Sequence, residues 1–132
     1  MDNMKENKIS IEINCSASEV FQFTLNPKNT HLWIDSIVRE EANEFPVKLG
    51  TKYKNVNGGG QWTEYTVTQF KPNKLFEIKQ SNSSYHVRYT LESICDKKTK
   101  LTYFEWVEEG ELEKPFSIDV LEKLKKVMEE KK

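Results

Sequence analysis

The stretch Ser16 to Trp33, SASEVFQFTLNPKNTHLW, decides the fold, because it sets how the chain leaves its first strand. It opens with Ser-Ala-Ser-Glu, which fits a capping box. In that motif the Ser16 hydroxyl accepts the Glu19 backbone N–H, and the Glu19 carboxylate accepts the Ser16 N–H. The pattern therefore predicts a short helix over about 17–25, and Asn26-Pro27 ends it, since the residue before a proline disfavours helical geometry. A second helical turn is predicted to end at Trp33.

Strand patterns lie on both sides of this stretch. Upstream, KISIEIN alternates isoleucines with polar residues over 8–14, which predicts a strand with one buried face. Downstream, β-branched and aromatic segments alternate with short turn-forming sequences. Connections this short imply antiparallel hairpins, because a parallel crossover needs a dozen or more residues. The six downstream strands are predicted near 37–44, 51–56, 61–70, 74–80, 84–94 and 100–109.

A long amphipathic helix is predicted after Pro115. Acidic residues stand four positions before basic ones in Asp119–Lys123 and Glu122–Lys126, the order that supports a helix in water. An antiparallel sheet next to one such helix predicts an α+β fold, in which a strongly twisted sheet of seven strands curls around the helix and leaves a space between them. The apolar stripe of the helix comprises Phe116, Val120, Leu121, Leu124, Val127 and Met128.

Composition indicates an ordinary intracellular protein. The 132 residues suit one domain, 1–132, with an ordered core of about 8–130. Twenty basic residues against 21 acidic ones, interspersed along the chain, argue against a nucleic-acid partner. The polar N-terminus lacks the pattern of a secretory signal, and no apolar run approaches the length of a membrane span, so we expect a cytoplasmic protein without membrane insertion.

The chain carries few candidate metal ligands. Cys15 and Cys95 are not in a CxxC motif and are expected to be reduced thiols. His31 and His86 lie far apart in sequence, with no third ligand at helical spacing, so no metal site is predicted. The glycine run in NVNGGGQW lacks a following helix and any phosphate-loop motif, so it is expected to be a hairpin loop, or a flap over a cavity. No cofactor is predicted.

Several segments together resemble the START-like (SRPBCC, Bet v 1-like) superfamily of helix-grip domains, and most of all its bacterial polyketide cyclase/dehydrase-like branch. They are SASEVFQFTLNPKNTHLW, PVKLGTKY, YTVTQFKPNKLFEI, YHVRYTLES and TKLTYFEW, and the resemblance covers about residues 8–130. It implies a hydrophobic small molecule held between the sheet and the C-terminal helix. Some members of the superfamily are cyclases, some bind lipids or hormones, and one branch stimulates a chaperone ATPase.

Alternation along the strands suggests which side chains would line such a cavity. His86 and Arg88 are predicted to point to solvent on the opposite face. Trp33 would line the cavity mouth if the resemblance holds, or would be a core residue that seals the corner. The candidate ligand-binding residues are Trp33, Tyr53, Tyr65, Val67, Phe76, Tyr85, Val87, Tyr89, Tyr103, Phe116, Val120, Leu121 and Leu124.

The orientation of the last strand, LTYFEWVEE, is ambiguous because both of its faces are partly apolar. If Tyr103 and Glu105 face inward, Glu105 is a carboxylate in an apolar pocket, suited to act as a general acid or base. The more common arrangement is a solvated or edge-paired carboxylate, and the same two alternatives apply to Glu64. If the other face is inward, Phe104 and Trp106 form a stacking wall.

Three functions are consistent with these patterns. The first is binding of a hydrophobic or aromatic small molecule in the cavity. The second is a cyclase or dehydratase that uses Glu105, Glu64 or Tyr103 for acid–base chemistry. The third is an interaction protein like the chaperone activators, with an exposed apolar patch that includes Phe104 and Trp106. We rank them in that order, and we expect a monomer or weak dimer.

Overall fold

The computed structural model describes residues 5–130, and its fold is the predicted helix-grip arrangement. A 3-10 helix, Pro27–Leu32, follows the first α-helix. The elements in chain order are β1 Glu6–Ile13, α1 Ala17–Leu25, β2 Ile37–Ala42, β3 Lys52–Asn57, β4 Trp62–Lys71, β5 Leu75–Gln80, β6 Tyr85–Cys95, β7 Lys98–Val107 and α2 Ile118–Glu130. The predicted domain ends, 1–4 and 131–132, lie outside the described residues.

The seven strands form one antiparallel sheet in the order β1-β7-β6-β5-β4-β3-β2. Every neighbour from β2 to β7 is joined by a hairpin, as the short connections predicted. The exception is β1, which pairs with β7 at the far end of the chain, in a register that aligns Ile13 with Thr99. The two edges of the sheet are therefore β1 and β2.

The predicted capping box at the start of α1 is confirmed. The Ser16 hydroxyl accepts the Glu19 N–H at 3.1 Å, and the Glu19 carboxylate accepts the Ser16 N–H at 3.0 Å. The helix ends at Asn26, whose side chain accepts the Lys28 N–H at 3.0 Å and so caps the 3-10 helix that Pro27 opens. Local sequence therefore determines the whole connection from β1 to the corner at Trp33.

The helix α2 packs with its apolar side on the core, where Leu121 and Leu124 are fully buried. Two expectations for this helix are wrong. It begins at Ile118, so Phe116 lies in the segment before it and not on its stripe. The two predicted ion pairs within the helix are replaced, within residues 5–130, by a pair between Lys123 and Asp35 and one between Lys125 and Glu129. Lys123 thus pairs with a tertiary partner, whereas Lys125 pairs with the residue four positions along the same helix.

Two β-bulges change which residues face inward. On β2 the register shifts between Ile37 and Arg39, so Val38 is an extra residue in the strand. As a result Glu40 pairs with Asn55 and faces inward, whereas Arg39 faces outward. On β4 a similar shift between Val67 and Gln69 makes Thr68 the extra residue. Simple alternation fails on both strands beyond these points.

On the outer face of β5, Glu77 is only 5% exposed and is the centre of a polar cluster. Its carboxylate accepts the Arg88 Nε–H at 2.9 Å and the Thr68 hydroxyl at 2.9 Å. The prediction that His86 points into solvent is only partly correct, since it lies on the outer face but stacks on Trp106, with ring centroids 4.7 Å apart. Neighbouring side chains cover it, and 12% of its side chain is exposed.

The same cluster removes the predicted apolar patch. Phe104 and Trp106 do lie on the outer face, but they stack on each other at 4.9 Å, and both are half-buried. The Arg88 guanidinium lies 5.1 Å from the Trp106 ring centroid and covers its face. The large apolar side chain exposed on β4 is instead Trp62, which is 49% exposed. Within residues 5–130, no helix combines the length and apolar character needed to cross a membrane.

Candidate functional site

A pocket of about 270 Å³ opens on the inner face of the sheet, between strands β2 to β7, the 3-10 corner and the segment before α2. Its most distinctive feature is that all five tyrosines of the chain line it, and we call it the tyrosine pocket. The tyrosines are Tyr53, Tyr65, Tyr85, Tyr89 and Tyr103. Predicted residues that also line it are Phe76, Val87 and Phe116.

Strand alternation and register bring the tyrosines together. Tyr53 on β3 lies directly opposite Tyr65 on β4, and Tyr89 on β6 lies directly opposite Tyr103 on β7. Residues opposite each other in an antiparallel pair share a face, so each pair points inward together. The alternation in YHVRYTLE adds Tyr85 to the same face, as predicted.

Contacts between the rings hold the wall of the pocket in place. Tyr89 stacks on Phe76 with ring centroids 4.4 Å apart, and Tyr103 stacks on Phe116 at 4.7 Å. Such contacts add to the stability that area burial supplies. The second stack joins β7 to the segment before α2, so Phe116 forms part of the pocket although it lies outside the helix.

The tyrosine hydroxyls are hydrogen-bond donors in this pocket. The Tyr53 hydroxyl donates to the Leu25 carbonyl at 2.5 Å, and the Tyr85 hydroxyl donates to Glu105 at 2.7 Å. Burial raises the pKa of Tyr65 to about 12, with a further contribution from the charge of Glu40. Burial likewise raises the pKa of Tyr89 and Tyr103 well above their usual range. The phenols therefore keep their protons near neutral pH and are unsuited to act as bases.

Glu40 on β2 is a pocket residue that sequence reasoning missed. It lines the tyrosine pocket because the bulge at Val38 turns it inward. Its carboxylate accepts the Thr30 hydroxyl at 2.5 Å and the Asn55 side-chain amide at 3.1 Å. Burial raises the pKa of Glu40, and these two hydrogen bonds oppose the rise. Alternation gave no signal for Glu40, since it placed Arg39 and Glu41 with Ile37.

Glu105 faces inward and is 1% exposed, so the expectation of a solvated or edge-paired carboxylate is wrong. Three donors hold it: the Tyr85 hydroxyl at 2.7 Å, the Phe116 backbone N–H at 2.7 Å and the Asn7 side-chain amide at 3.0 Å. The Asn7 amide also donates to the Phe116 carbonyl at 2.8 Å. This carboxylate therefore joins β1, β6 and β7 to the segment before α2.

A second, wider depression of about 710 Å³ adjoins the tyrosine pocket and has Glu105 in its lining. The two share Asn57, Tyr85 and Lys114, so these residues mark the boundary between them. Lys114 is exposed and is the cation among the residues that line the tyrosine pocket. The glycine run begins at this boundary, where the Asn57 side chain accepts the Gly59 N–H at 2.9 Å and holds the hairpin turn.

The structure places the other candidate residues away from the tyrosine pocket. Trp33 is buried in the corner, with its ring edge against Tyr89 at 6.2 Å, and packs as a core residue. Glu64 lies on the outer side of β4 and accepts the Ser81 hydroxyl at 2.8 Å. The candidates that belong to the filled core under α1 and α2 are Val67, Val120, Leu121 and Leu124. The open space is thus beside the helix-packed core and not directly beneath α2.

Within residues 5–130, the structure contains no group of three His, Cys, Asp or Glu side chains arranged to hold a metal ion. The charged lining of the tyrosine pocket consists of Glu40 and Lys114, at different depths. The pocket offers aromatic packing, hydrogen bonding with phenols, hydroxyls and amides, and hydrogen bonding to one carboxyl group.

Comparison with solved structures identifies the same fold in several bacterial proteins. The protein XoxI from Bacillus cereus matches with a TM-score of 0.74 and 15% identity, over 95% of this chain and 96% of that one. A START superfamily protein from Mycobacterium smegmatis matches with a TM-score of 0.74 and 11% identity, over 97% and 99%. Identities this low establish the fold and carry no activity across.

A third similar structure is the di-domain ARO/CYC protein BexL from the BE-7585A biosynthetic pathway, with a TM-score of 0.65 and 13% identity. This chain aligns over 79% of its own length and 36% of BexL. No curated protein matches the sequence. The family model described as "Polyketide cyclase / dehydrase and lipid transport" matches residues 4–130. The chain therefore belongs to this polyketide cyclase/dehydrase family.

Proposed function

We propose that this protein binds a compact hydrophobic or aromatic small molecule in the tyrosine pocket. The observation that carries the proposal is the convergence of all five tyrosines on one pocket of about 270 Å³. Ligand sites combine an apolar, aromatic wall with a few polar groups that orient the ligand, and they usually enclose about 300–1,000 Å³. The volume of this pocket is just below that range, which favours a molecule of two or three rings over a long acyl chain.

A cyclase or dehydratase activity in the same pocket is the second candidate. The family description and the likeness to BexL favour it in general terms. The specific observation is Glu40, a carboxyl group that lines the pocket and whose pKa is raised by burial. A carboxyl group with a raised pKa in a pocket is a candidate general acid or base. Of the three residues first considered for this role, Tyr103 lines the pocket, Glu105 lines the adjoining depression and Glu64 lies outside both.

The binding function is tested by thermal unfolding with a panel of aromatic polyketides, flavonoids, sterols and fatty acids. A ligand that binds only the native state raises Tm, and at 100 times its Kd it contributes about 2.7 kcal/mol of stability. We expect stabilisation by compact aromatic members of the panel and none by long fatty acids.

Ile78 offers a way to show that binding occurs in the tyrosine pocket, since it lines the wall on β5. The larger side chain of Ile78→Phe should occupy the space and abolish the ligand-induced shift in Tm. The matched control is Ile94→Phe, at a position that is 47% exposed. A ligand that stabilises both variants as it does the wild type would place its site elsewhere and contradict the proposal.

A further inference from the structure

Glu40 has an unusual position among the charged groups of the pocket. It lines the interior, whereas the other charged lining residue, Lys114, is exposed at the boundary with solvent. In the part of the chain that the structure describes, Glu40 forms no ion pair, and its hydrogen-bond donors are the neutral side chains of Thr30 and Asn55. Carboxylates held inside a fold are normally paired with a cation or supplied with several donors.

The carboxylate of Glu40 has unused acceptor capacity. An ionised carboxylate has about four lone-pair positions, two on each oxygen. Thr30 donates to Oε1 at 2.5 Å and Asn55 donates to Oε2 at 3.1 Å. One acceptor position on each oxygen therefore stays open in a residue that lines the pocket.

Nearby tyrosines do not supply the missing donors. The Tyr53 hydroxyl donates to the Leu25 carbonyl, and the Tyr85 hydroxyl donates to Glu105. The negative charge of Glu40 instead disfavours ionisation of nearby tyrosines, and it contributes to the raised pKa of Tyr53, Tyr65 and Tyr89. A molecule inside the pocket, water or a ligand, can supply a donor for the open positions.

Building on the binding function proposed above, we infer that Glu40 selects the ligand: the tyrosine pocket takes a compact aromatic molecule that presents an O–H or N–H donor to this carboxylate. The aromatic wall packs against the ring system of the ligand, and the Glu40 carboxylate accepts the hydrogen bond from its O–H or N–H donor. A ligand of the same shape without the donor leaves the carboxylate partly unsatisfied in a confined space, which is a strong basis for discrimination. A ring that occupies the pocket displaces water from the side of the carboxylate that faces it.

The test compares two probes of similar shape, 2-naphthol and 2-methoxynaphthalene, by isothermal titration calorimetry. The two differ in that only the first can donate a hydrogen bond. A hydrogen bond to a charged group implies at least a roughly tenfold preference of the wild type for 2-naphthol. In Glu40→Gln we expect the ratio of the two Kd values to fall to within about threefold, because the charge-assisted bond is lost.

The matched control is Glu41→Gln, one residue further along the same strand, where the side chain is exposed and pairs with Arg39. This variant should keep the wild-type ratio. Equal affinity of the wild type for the two probes would overturn the inference and leave the binding function intact. Failure of both probes to bind would count against the binding function itself. The comparison on the wild type needs no variant, so it holds even if Glu40→Gln unfolds.

Discussion

The Glu105 carboxylate accepts the Phe116 backbone N–H at 2.7 Å and so joins β7 to the segment that leads into α2. Because Phe116 also stacks on Tyr103, this one hydrogen bond positions an aromatic wall of the tyrosine pocket. The terminal segment is thus held to the sheet by a buried polar contact as well as by apolar packing.

Removal of this carboxylate should be strongly destabilising. Glu105→Leu removes the acceptor of the Phe116 N–H and of the Tyr85 hydroxyl, and one of the two acceptors of the Asn7 amide. Buried donors without partners cost about 1–3 kcal/mol each, so we expect a loss of about 3–5 kcal/mol in the free energy of unfolding, measured with urea. Glu105→Gln keeps one carbonyl acceptor and should lose less. A loss below about 1 kcal/mol in Glu105→Leu would contradict the structural role.

The hydrogen bond between Tyr53 and Leu25 is open to a cleaner test. Tyr53→Phe removes a hydroxyl and leaves the last carbonyl of α1 without a partner, which should cost about 1–2 kcal/mol in urea unfolding. The control is Tyr65→Phe, because within residues 5–130 the Tyr65 hydroxyl has no protein acceptor and faces the pocket. We expect that variant to stay within about 0.5 kcal/mol of the wild type. Equal losses in the two variants would show that the Tyr53 bond contributes nothing specific.

The outer cluster predicts different effects for two arginines. Arg88 pairs with Glu77 at 2.8 Å, and the Glu77 side chain is only 7% exposed. Arg88→Met leaves that carboxylate without its cation, and we expect a loss of about 1–3 kcal/mol, discounted because a third of the arginine is solvated. Arg39→Met breaks an exposed pair with Glu41 and should cost less than about 1 kcal/mol. The reverse order in chemical unfolding would mean that burial of Glu77 is unimportant.

Glu40 should make stability depend on pH in a defined direction. Burial raises its pKa above the ordinary 4.5, so between that value and the raised one the folded state holds a proton that the unfolded state has released. Stability from this group therefore falls as pH rises through that window and is constant above it. Tyr53, Tyr65 and Tyr89 face Glu40 but stay protonated over the same range.

In Glu40→Gln the side chain at position 40 does not titrate, so this variant does not show the fall in stability that Glu40 causes as pH rises. The stability of the wild type relative to the variant should decrease as pH rises from about 4.5 and then level off. Urea unfolding of both proteins across about pH 4.5 to 8 measures the difference directly, and other titrating groups cancel in the comparison. A difference that does not change with pH would show that Glu40 has the same affinity for protons in the folded and unfolded states.

Patterns of short range predicted most of the fold and the tyrosine wall. The Ser16 capping box, the strand alternation and the amphipathic helix are each determined by residues close together in sequence. Tyr85, Val87 and Tyr89 lie two residues apart along a regular strand, so all three face the inner side of the sheet. Such features need no knowledge of distant partners.

The features that sequence reasoning missed depend on distant contacts. Phe116 left the predicted helix because Glu105 and Asn7 bind its backbone from other strands. Glu40 reached the pocket because of a bulge whose position depends on pairing with β3. Trp33 is the core residue that was one of its two predicted roles. The stripe of α2 was predicted to line a cavity, but packing fills the space beneath the helix.

The bulge at Val38 lies in β2, an edge strand that pairs on one side only. An edge strand accommodates the gain or loss of a residue more easily than a central strand, because one side of its ladder is free. If the bulge were lost with Val38 retained, Val38 would pair with Val56, and Arg39 would lie opposite Asn55 and face inward in place of Glu40. A slip of one residue in the pairing of this edge strand would thus invert the charge at this position of the pocket, and with it the kind of molecule that the scaffold attracts.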